Sequence, residues 1–142
     1  CNYDAALLED AAKLIDLVSD QIPYSMVNRG MDRDIIPYCI RNEKSVIAYS
    51  PLERGLLTGK MQPGYRFAEG DHRKETPFFT DEKKATLGQL VIRWTIEHPG
   101  ITVALVGARN PEQAIQNAKA ADIILTPEEL QFINQQIDQM LK

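Results

Sequence analysis

Two short apolar runs stand out in an otherwise amphipathic chain: Ser45-Val46-Ile47-Ala48-Tyr49 and Thr102-Val103-Ala104-Leu105-Val106. Each is five residues long and bounded by turn-forming residues, the pattern of a buried strand. Around them the apolar positions recur at helical spacing. Behind Asp4, which reads as an N-cap, Leu7, Leu8, Ala11, Ala12 and Ile15 share one face. Asp32 reads as the cap of a second helix with Ile35, Ile36, Cys39 and Ile40 facing in. Thr86-Leu87-Gly88-Gln89 resembles a capping box and leads an amphipathic run to His98, where Pro99-Gly100 stops it. Asn110-Pro111-Glu112-Gln113 is a start signal with a cap, a Pro and a capping-box Gln, and Thr126-Pro127-Glu128-Glu129 repeats it. The last helix turns Leu130, Ile133, Ile137 and Leu141 inward. Gln21-Ile22-Pro23-Tyr24-Ser25 is β-prone, but its Pro weakens it as a strand.

Strands and helices therefore alternate, which predicts βα units and a parallel sheet, an α/β fold. Three strands are too few to close a barrel or to cover themselves. Residues 61–85 are polar and without period, the signature of a long irregular loop. The chain opens without Met on Cys1-Asn2-Tyr3-Asp4, which reads like the exit from a strand, so an earlier part is expected before it.

Composition narrows the function classes. The 142 residues are 44% hydrophobic and 25% charged, with a net charge of -4. These values are ordinary for a globular domain with a core. Acidic and basic residues are interspersed, which argues against a nucleic-acid surface and against a polybasic membrane patch. No apolar run reaches the roughly 18 residues of a membrane span. Cys1 and Cys39 form neither a CxxC pair nor a metal-ligand spacing with His, so reduced thiols in a cytoplasmic protein are expected, with no metal.

Two strand exits carry the candidate chemistry, because function in parallel α/β proteins gathers where strands end. The first is Tyr49-Ser50-Pro51-Leu52-Glu53-Arg54-Gly55-Leu56-Leu57-Thr58-Gly59-Lys60. A Gly-containing loop there lets backbone N–H groups approach phosphate oxygens, and Lys60 adds a positive charge. An ordinary strand exit with a Gly turn fits the same residues. The second is Val106-Gly107-Ala108-Arg109-Asn110-Pro111-Glu112-Gln113, followed by Gln116 and Asn117. A capped helix start is an anion site, and Arg109 supplies a bidentate donor for phosphate. Gln113, Gln116 and Asn117 share one face, and a well-capped surface helix fits as well.

Together these stretches, with Arg93-Trp94 through Gly107, resemble the aldo-keto reductase family over nearly the whole chain. The resemblance implies a (β/α)8 TIM barrel that binds NADPH in an extended form. Here it would be present as strands six to eight, in a single incomplete barrel domain over 1–142. It implies that Cys1 and Asn2 end strand five and, with Gln21, hold the nicotinamide carboxamide. Tyr49 would stack on the ring. Ser50, Pro51, Leu52, Gly55, Leu57 and Lys60 would follow the pyrophosphate. Gly107 and Arg109 would meet the adenosine 2′-phosphate, and Gln113, Gln116 and Asn117 the adenosine end.

The chain departs from the family pattern in several respects, among them Gln116 where the family commonly has an acidic residue and Gln113 where it often has Arg. Cys1 stands where the family has Ser, a weaker hydrogen-bonding group. Gly107 and Ala108 replace a common Lys-Ser pair, which leaves Arg109 as chief cation. A helix expected near Glu82-Lys83 is either deleted or has its residues left out of this sequence. The catalytic Tyr, Lys, Asp and His of the family lie before strand five, and nothing replaces them. Tyr24 and Tyr38 have no His or Lys at a suggestive spacing, His72 reads as solvated, and His98 as a helix-end residue. Trp94 reads as core, and Met26 and Met31 as packing or as an apolar pocket lining. The implied activity of the parent protein is NADPH-dependent reduction of a small aldehyde or ketone to an alcohol. The alternatives are a non-catalytic NADPH-binding regulatory subunit, like the potassium-channel β subunits that resemble this family, and an inactive half-barrel.

Overall fold

The two apolar runs form neighbouring strands in a computed structural model that describes residues 1–59 and 85–141. Lys60, His72 and the expected irregular loop, Ala85 apart, lie outside the described residues, as does the departure near Glu82. Three strands, β1 (Ser19–Pro23), β2 (Ser45–Tyr49) and β3 (Ile101–Leu105), make one parallel sheet in the order β1-β2-β3. The last strand thus begins and ends one residue earlier than the apolar run suggests. The first carries its Pro at its last position; Tyr24 N still donates to Tyr49 O, and Ser25 opens a tight turn closed on Asn28. A Pro at a strand end removes no ladder donor that the sheet needs.

Register decides which side chains share a row. Gln21 pairs with Ile47, and Ile47 with Val103; Pro23 pairs with Tyr49, and Tyr49 with Leu105. The alternate positions Ile22, Val46 and Ala48 are completely buried under the helices. Full burial of side chains such as Ile22 and Val46 contributes roughly 1.5–3 kcal/mol each. The opposite face is open among the described residues: Val103 is 42% and Leu105 44% exposed. An apolar run buried on both faces was the sequence expectation, and helices cover only one.

The helices α1 (Ala5–Ala12), α2 (Ile35–Arg41), α3 (Leu87–Glu97), α4 (Pro111–Ala118) and α5 (Pro127–Met140) begin where the caps predict, with one shift. Asp34 rather than Asp32 precedes α2, because Asp32 sits in a short 3-10 turn, Gly30–Asp32. The Thr86 and Thr126 capping boxes are both closed. Apolar periodicity outran the helices at Ile15 and Leu141, which lie beyond the last turns of α1 and α5 and are exposed; Leu7 and Ile40 are exposed as well. Tyr38 packs inward from α2 in addition to Ile35, Ile36 and Cys39. Gly100 allows the close turn into β3: its φ is +91°, and a Cβ there would stand 2.8 Å from Ile36 Cγ2. Cys1 and Cys39 are both free, the first exposed and the second buried. No helix among the described residues is long and apolar enough to cross a membrane.

Candidate functional site

Parallel strands deliver all their exits to one edge of the sheet. Because Tyr49 pairs directly with Leu105, the chain leaves β2 and β3 side by side, and the two exits enclose one cleft of about 860 Å³. Ser50, Pro51, Leu52, Arg54 and Gly55 line it from the first exit. Gly107, Arg109, Gln113 and Asn117 line it from the second. That volume is within the usual range for a small-molecule site.

The first exit is strained. Ser50, Glu53 and Arg54 all have left-handed backbones (φ 57°, 44° and 55°), followed by Gly55 at 99°. Non-glycine residues held there cost of order 1–3 kcal/mol each, so surrounding contacts must hold them. Several do. Glu53 N donates to Ser50 O (2.9 Å), Gly55 N to Leu52 O (2.9 Å), and Thr58 Oγ1 to Gly55 O (2.7 Å). The Glu53 carboxylate accepts from the buried Ser25 hydroxyl at 2.7 Å, which ties it to the turn after β1. Leu57 packs partly buried against the core instead of lining the cleft.

The second exit is relaxed and ends in the start of α4. Asn110 Oδ1 accepts from Gln113 N (2.9 Å), as its cap role predicts. Gln113 Oε1, however, accepts from Arg109 N (2.8 Å), not from the cap residue itself. Pro111 has no N–H to offer. Gln113 N and Arg109 N are therefore already used, and Pro111 adds no donor. Positive charge in the cleft comes instead from the Arg109 and Arg54 guanidinium groups, both exposed. Asn117 Nδ2 donates to Gly107 O (3.2 Å) and steadies the turn. Nothing lies within 4 Å of a Cβ built at Gly107, so space remains there for a ligand. An extended anion with phosphates fits these donors.

Gln116 stands apart from its expected partners. It is exposed on α4 away from the cleft, where Gln89 Nε2 donates to its Oε1 (3.1 Å) and to its backbone O (2.9 Å). Sequence spacing put it on one face with Gln113 and Asn117, but a face one helical turn wide reaches two different hollows. Gln116 lines the other, between α3 and the segment after α4.

At the far end of the first exit, Asn2, Gln21 and Tyr49 come together. Asn2 N donates to Gln21 O (2.8 Å), and the Tyr49 hydroxyl donates to Asn2 Oδ1 (3.1 Å). Asn2 is itself left-handed (φ 60°), a conformation that Asn tolerates better than most residues. A second hollow of about 400 Å³ opens beside them, lined by Tyr49, Pro23, Ile35, Met31 and Asp34. Met31 thus lines a pocket while Met26 is core. Cys1 is exposed beside Asn2.

One cluster was not legible in the sequence. Tyr24 is fully buried, its ring stacked on Trp94 with centroids 6.0 Å apart and tilted against His98 at 5.0 Å. Tyr24 Oη has no hydrogen-bond partner among the described residues, and Asp32 and Arg29 face it. Burial, reinforced by the Asp32 carboxylate, pushes the phenol above its usual range. His98 Nε2 is 3.3 Å from Asp32 Oδ1, and Nδ1 lies 3.0 Å from Pro99 O. Burial holds the imidazole below its usual pKa despite the opposing Asp32 charge. Arg29 pairs with Asp32 and Asp138 at 3.1 Å each, and Trp94 Nε1 donates to Asn134 Oδ1. A Tyr and a His 74 positions apart carry no local signal; only the packing of α3 over the exit of β1 joins them. The cluster locks the turn after β1 to α3 and α5.

Comparison with known proteins agrees with this geometry. The family model for the Aldo/keto reductase family matches residues 1–138. Aldo-keto reductase YhdN of Bacillus subtilis is 29% identical over 94% of this chain and 46% of its own length. The NADH-specific methylglyoxal reductase of Escherichia coli is 29% identical over 88% of this chain and 43% of its own. The crystal structure of the thermostable aldo-keto reductase Tm1743 superposes with a TM-score of 0.74 at 28% identity, covering 94% of this chain and 46% of that one. The chain thus spans less than half the length of the relatives it matches. A parallel α/β sheet whose exits form one ligand-sized cleft, matched along nearly its full length by one family, places this chain in the aldo/keto reductase family.

Proposed function

We propose that this chain is the cofactor-holding part of an NADPH-dependent carbonyl reductase, equivalent to strands six to eight of a (β/α)8 barrel. The observation that carries the reading is that Tyr49 and Arg109 leave neighbouring strands at the same sheet edge, with one cleft running from one exit to the other. The dinucleotide supplies a hydride from nicotinamide C4 to the carbonyl carbon. The residues of this chain orient it. Asn2 and Gln21 carry side-chain amides, each with donor and acceptor, suited to a carboxamide. The hydrogen bond from Tyr49 to Asn2 fixes the phenol ring as a flat wall that presents one face of the nicotinamide. Arg54 would pair with the pyrophosphate, and Arg109 with the 2′-phosphate. Gln113 and Asn117 face the adenosine end; Gln116 is too far round α4 to join them. Lys60 would add a further cation to the phosphates. By the same resemblance, the acid that completes the alcohol would lie before Cys1. Its site is taken to be cytoplasmic, and its substrate a small carbonyl compound.

The test is titration of the full-length protein with NADPH and with NADH, followed by cofactor oxidation in the presence of varied aldehydes. One equivalent of NADPH, bound more tightly than NADH and oxidised only when a carbonyl is present, is the expected result. Absence of nucleotide uptake sinks the cofactor site. Uptake without turnover leaves a binding subunit and sinks the reductase. Tighter binding of NADH, the cofactor named for the Escherichia coli relative, overturns the NADPH preference and the role of Arg109, and leaves the nucleotide site standing.

A further inference from the structure

The strained turn after β2 is held from outside its own exit, by a residue 28 positions earlier. Ser25 is wholly buried, and its hydroxyl is saturated. Its Oγ accepts from Asn28 N (3.1 Å) and Val27 N (3.3 Å), which uses both lone pairs. The one remaining function of the hydroxyl is to donate, and it donates to Glu53 Oε1 at 2.7 Å. Its direction is therefore fixed by the turn between Ser25 and Asn28, whose backbone groups bond each other at 3.2 Å in both directions. Glu53 is the first of three successive left-handed residues, and Arg54, next to it, lines the phosphate cleft. Without an external tether such a turn relaxes to ordinary backbone, and Arg54 leaves its place. The same hydrogen bond draws the Glu53 carboxylate toward Ser25 and away from the anionic ligand the cleft would hold.

We propose that Ser25 and Glu53 are positioning residues for the cofactor: their hydrogen bond fixes the turn at 53–55 and thereby aims the Arg54 guanidinium at the dinucleotide phosphates. The role rests on the cofactor reading given above. It also couples the two exits that would hold the ring and the phosphates, since Ser25 opens the turn that follows the Gln21 strand.

The experiment is a double-mutant cycle in the full-length protein, read as the NADPH dissociation constant, with the carbonyl KM measured in parallel. Arg54→Ala is expected to weaken NADPH about 10-fold, the loss of a charge-assisted contact. Ser25→Ala is expected to weaken it about 5-fold, with carbonyl KM unchanged at saturating cofactor. If Ser25 acts through Arg54, the double variant is no weaker than Arg54→Ala alone, whereas independent residues multiply to about 50-fold. Glu53→Gln keeps an oxygen acceptor for Ser25 and is expected within about 3-fold of wild type, while Glu53→Ala matches Ser25→Ala. This rescue is a readout that a purely structural loss does not give, and it serves even if Ser25→Ala fails to fold. Multiplicative effects, or Glu53→Ala binding NADPH as wild type does, overturn the proposal. No NADPH binding by the wild-type protein instead overturns the cofactor reading, so the two failures are distinct.

Discussion

The exits of β2 and β3 line the same cleft and are built in opposite ways. After β2 the backbone is left-handed at Ser50, Glu53, Arg54 and Gly55, and it is held by contacts from Thr58 and from Ser25 on another loop. After β3 no residue from 106 to 110 has a positive φ, and the helix start is closed by Asn110 and Gln113. One wall takes its shape from long-range tethers that oppose strain; the other takes it from local capping chemistry. A ligand that spans both walls meets a rigid but costly surface on one side and an inexpensive one on the other. The charge follows the same division: Arg54 is placed by strain, while Arg109 simply precedes a cap.

The largest expected effect comes from removing the cation of the relaxed wall. Gln113 N is already used there and Pro111 has no N–H, so under the proposed reading Arg109 is the main cation for a terminal phosphate. Hydrogen bonds to charged groups contribute about 1.5–3 kcal/mol, which corresponds to roughly 10- to 150-fold in affinity. Arg109→Ala is expected to weaken NADPH by a factor in that range and to leave NADH within about 2-fold, measured by parallel titrations. Equal losses for both cofactors would move Arg109 off the 2′-phosphate.

A matched pair of glycine substitutions tests the contrast in backbone directly. Neither Gly55 nor Gly107 has an atom within 4 Å of an added Cβ, so sterics with neighbours do not separate them. Conformation does: Gly55 has φ +99°, whereas Gly107 is not in the positive region. Gly55→Ala is expected to destabilise the protein by about 1–2 kcal/mol, because an L side chain is disfavoured there. Gly107→Ala is expected within about 0.5 kcal/mol of wild type, as for a surface change without a named mechanism. Chemical denaturation of the two variants gives the comparison, and equal midpoints would remove the distinction between the walls.

The same contrast explains what could be read from the sequence. The β3 exit was legible because every determinant lies within a few residues: the apolar run, the Asn110 cap, Pro111 and Gln113. The order of strands and helices was legible for the same reason, as caps and periods are local signals. The β2 exit announced itself only as a Gly-containing loop, since its shape depends on Ser25, a partner from the turn after β1. Gln116 lines a different hollow from Gln113 and Asn117, which sequence did not reveal because a shared helix face does not say which neighbour the face meets. The packing of Tyr24, Trp94 and His98 was hidden for a related reason: Pro99 and Gly100 explained His98 as a helix end, and nothing local pointed across to β1.

The smallest effect, and the sharpest separation of roles on the relaxed wall, comes from Asn110. Its Oδ1 caps α4 through Gln113 N, so Asn110→Ala is expected to cost about 1 kcal/mol of stability, read as a lowered denaturation midpoint. Asn110→Asp keeps an acceptor for Gln113 N and suits the positive end of the helix, so stability should change by no more than a few tenths of a kcal/mol. The same change sets a carboxylate next to Arg109, where it competes with an incoming phosphate for the guanidinium. NADPH should then bind about 3-fold more weakly, with the loss shrinking as salt screens the new charge. Stability and affinity thus move in different variants: Ala alters the first, and Asp the second. If Asn110→Asp left NADPH affinity unchanged at low salt, the phosphate would not be approaching this helix start, and the ligand would lie along the strained wall alone.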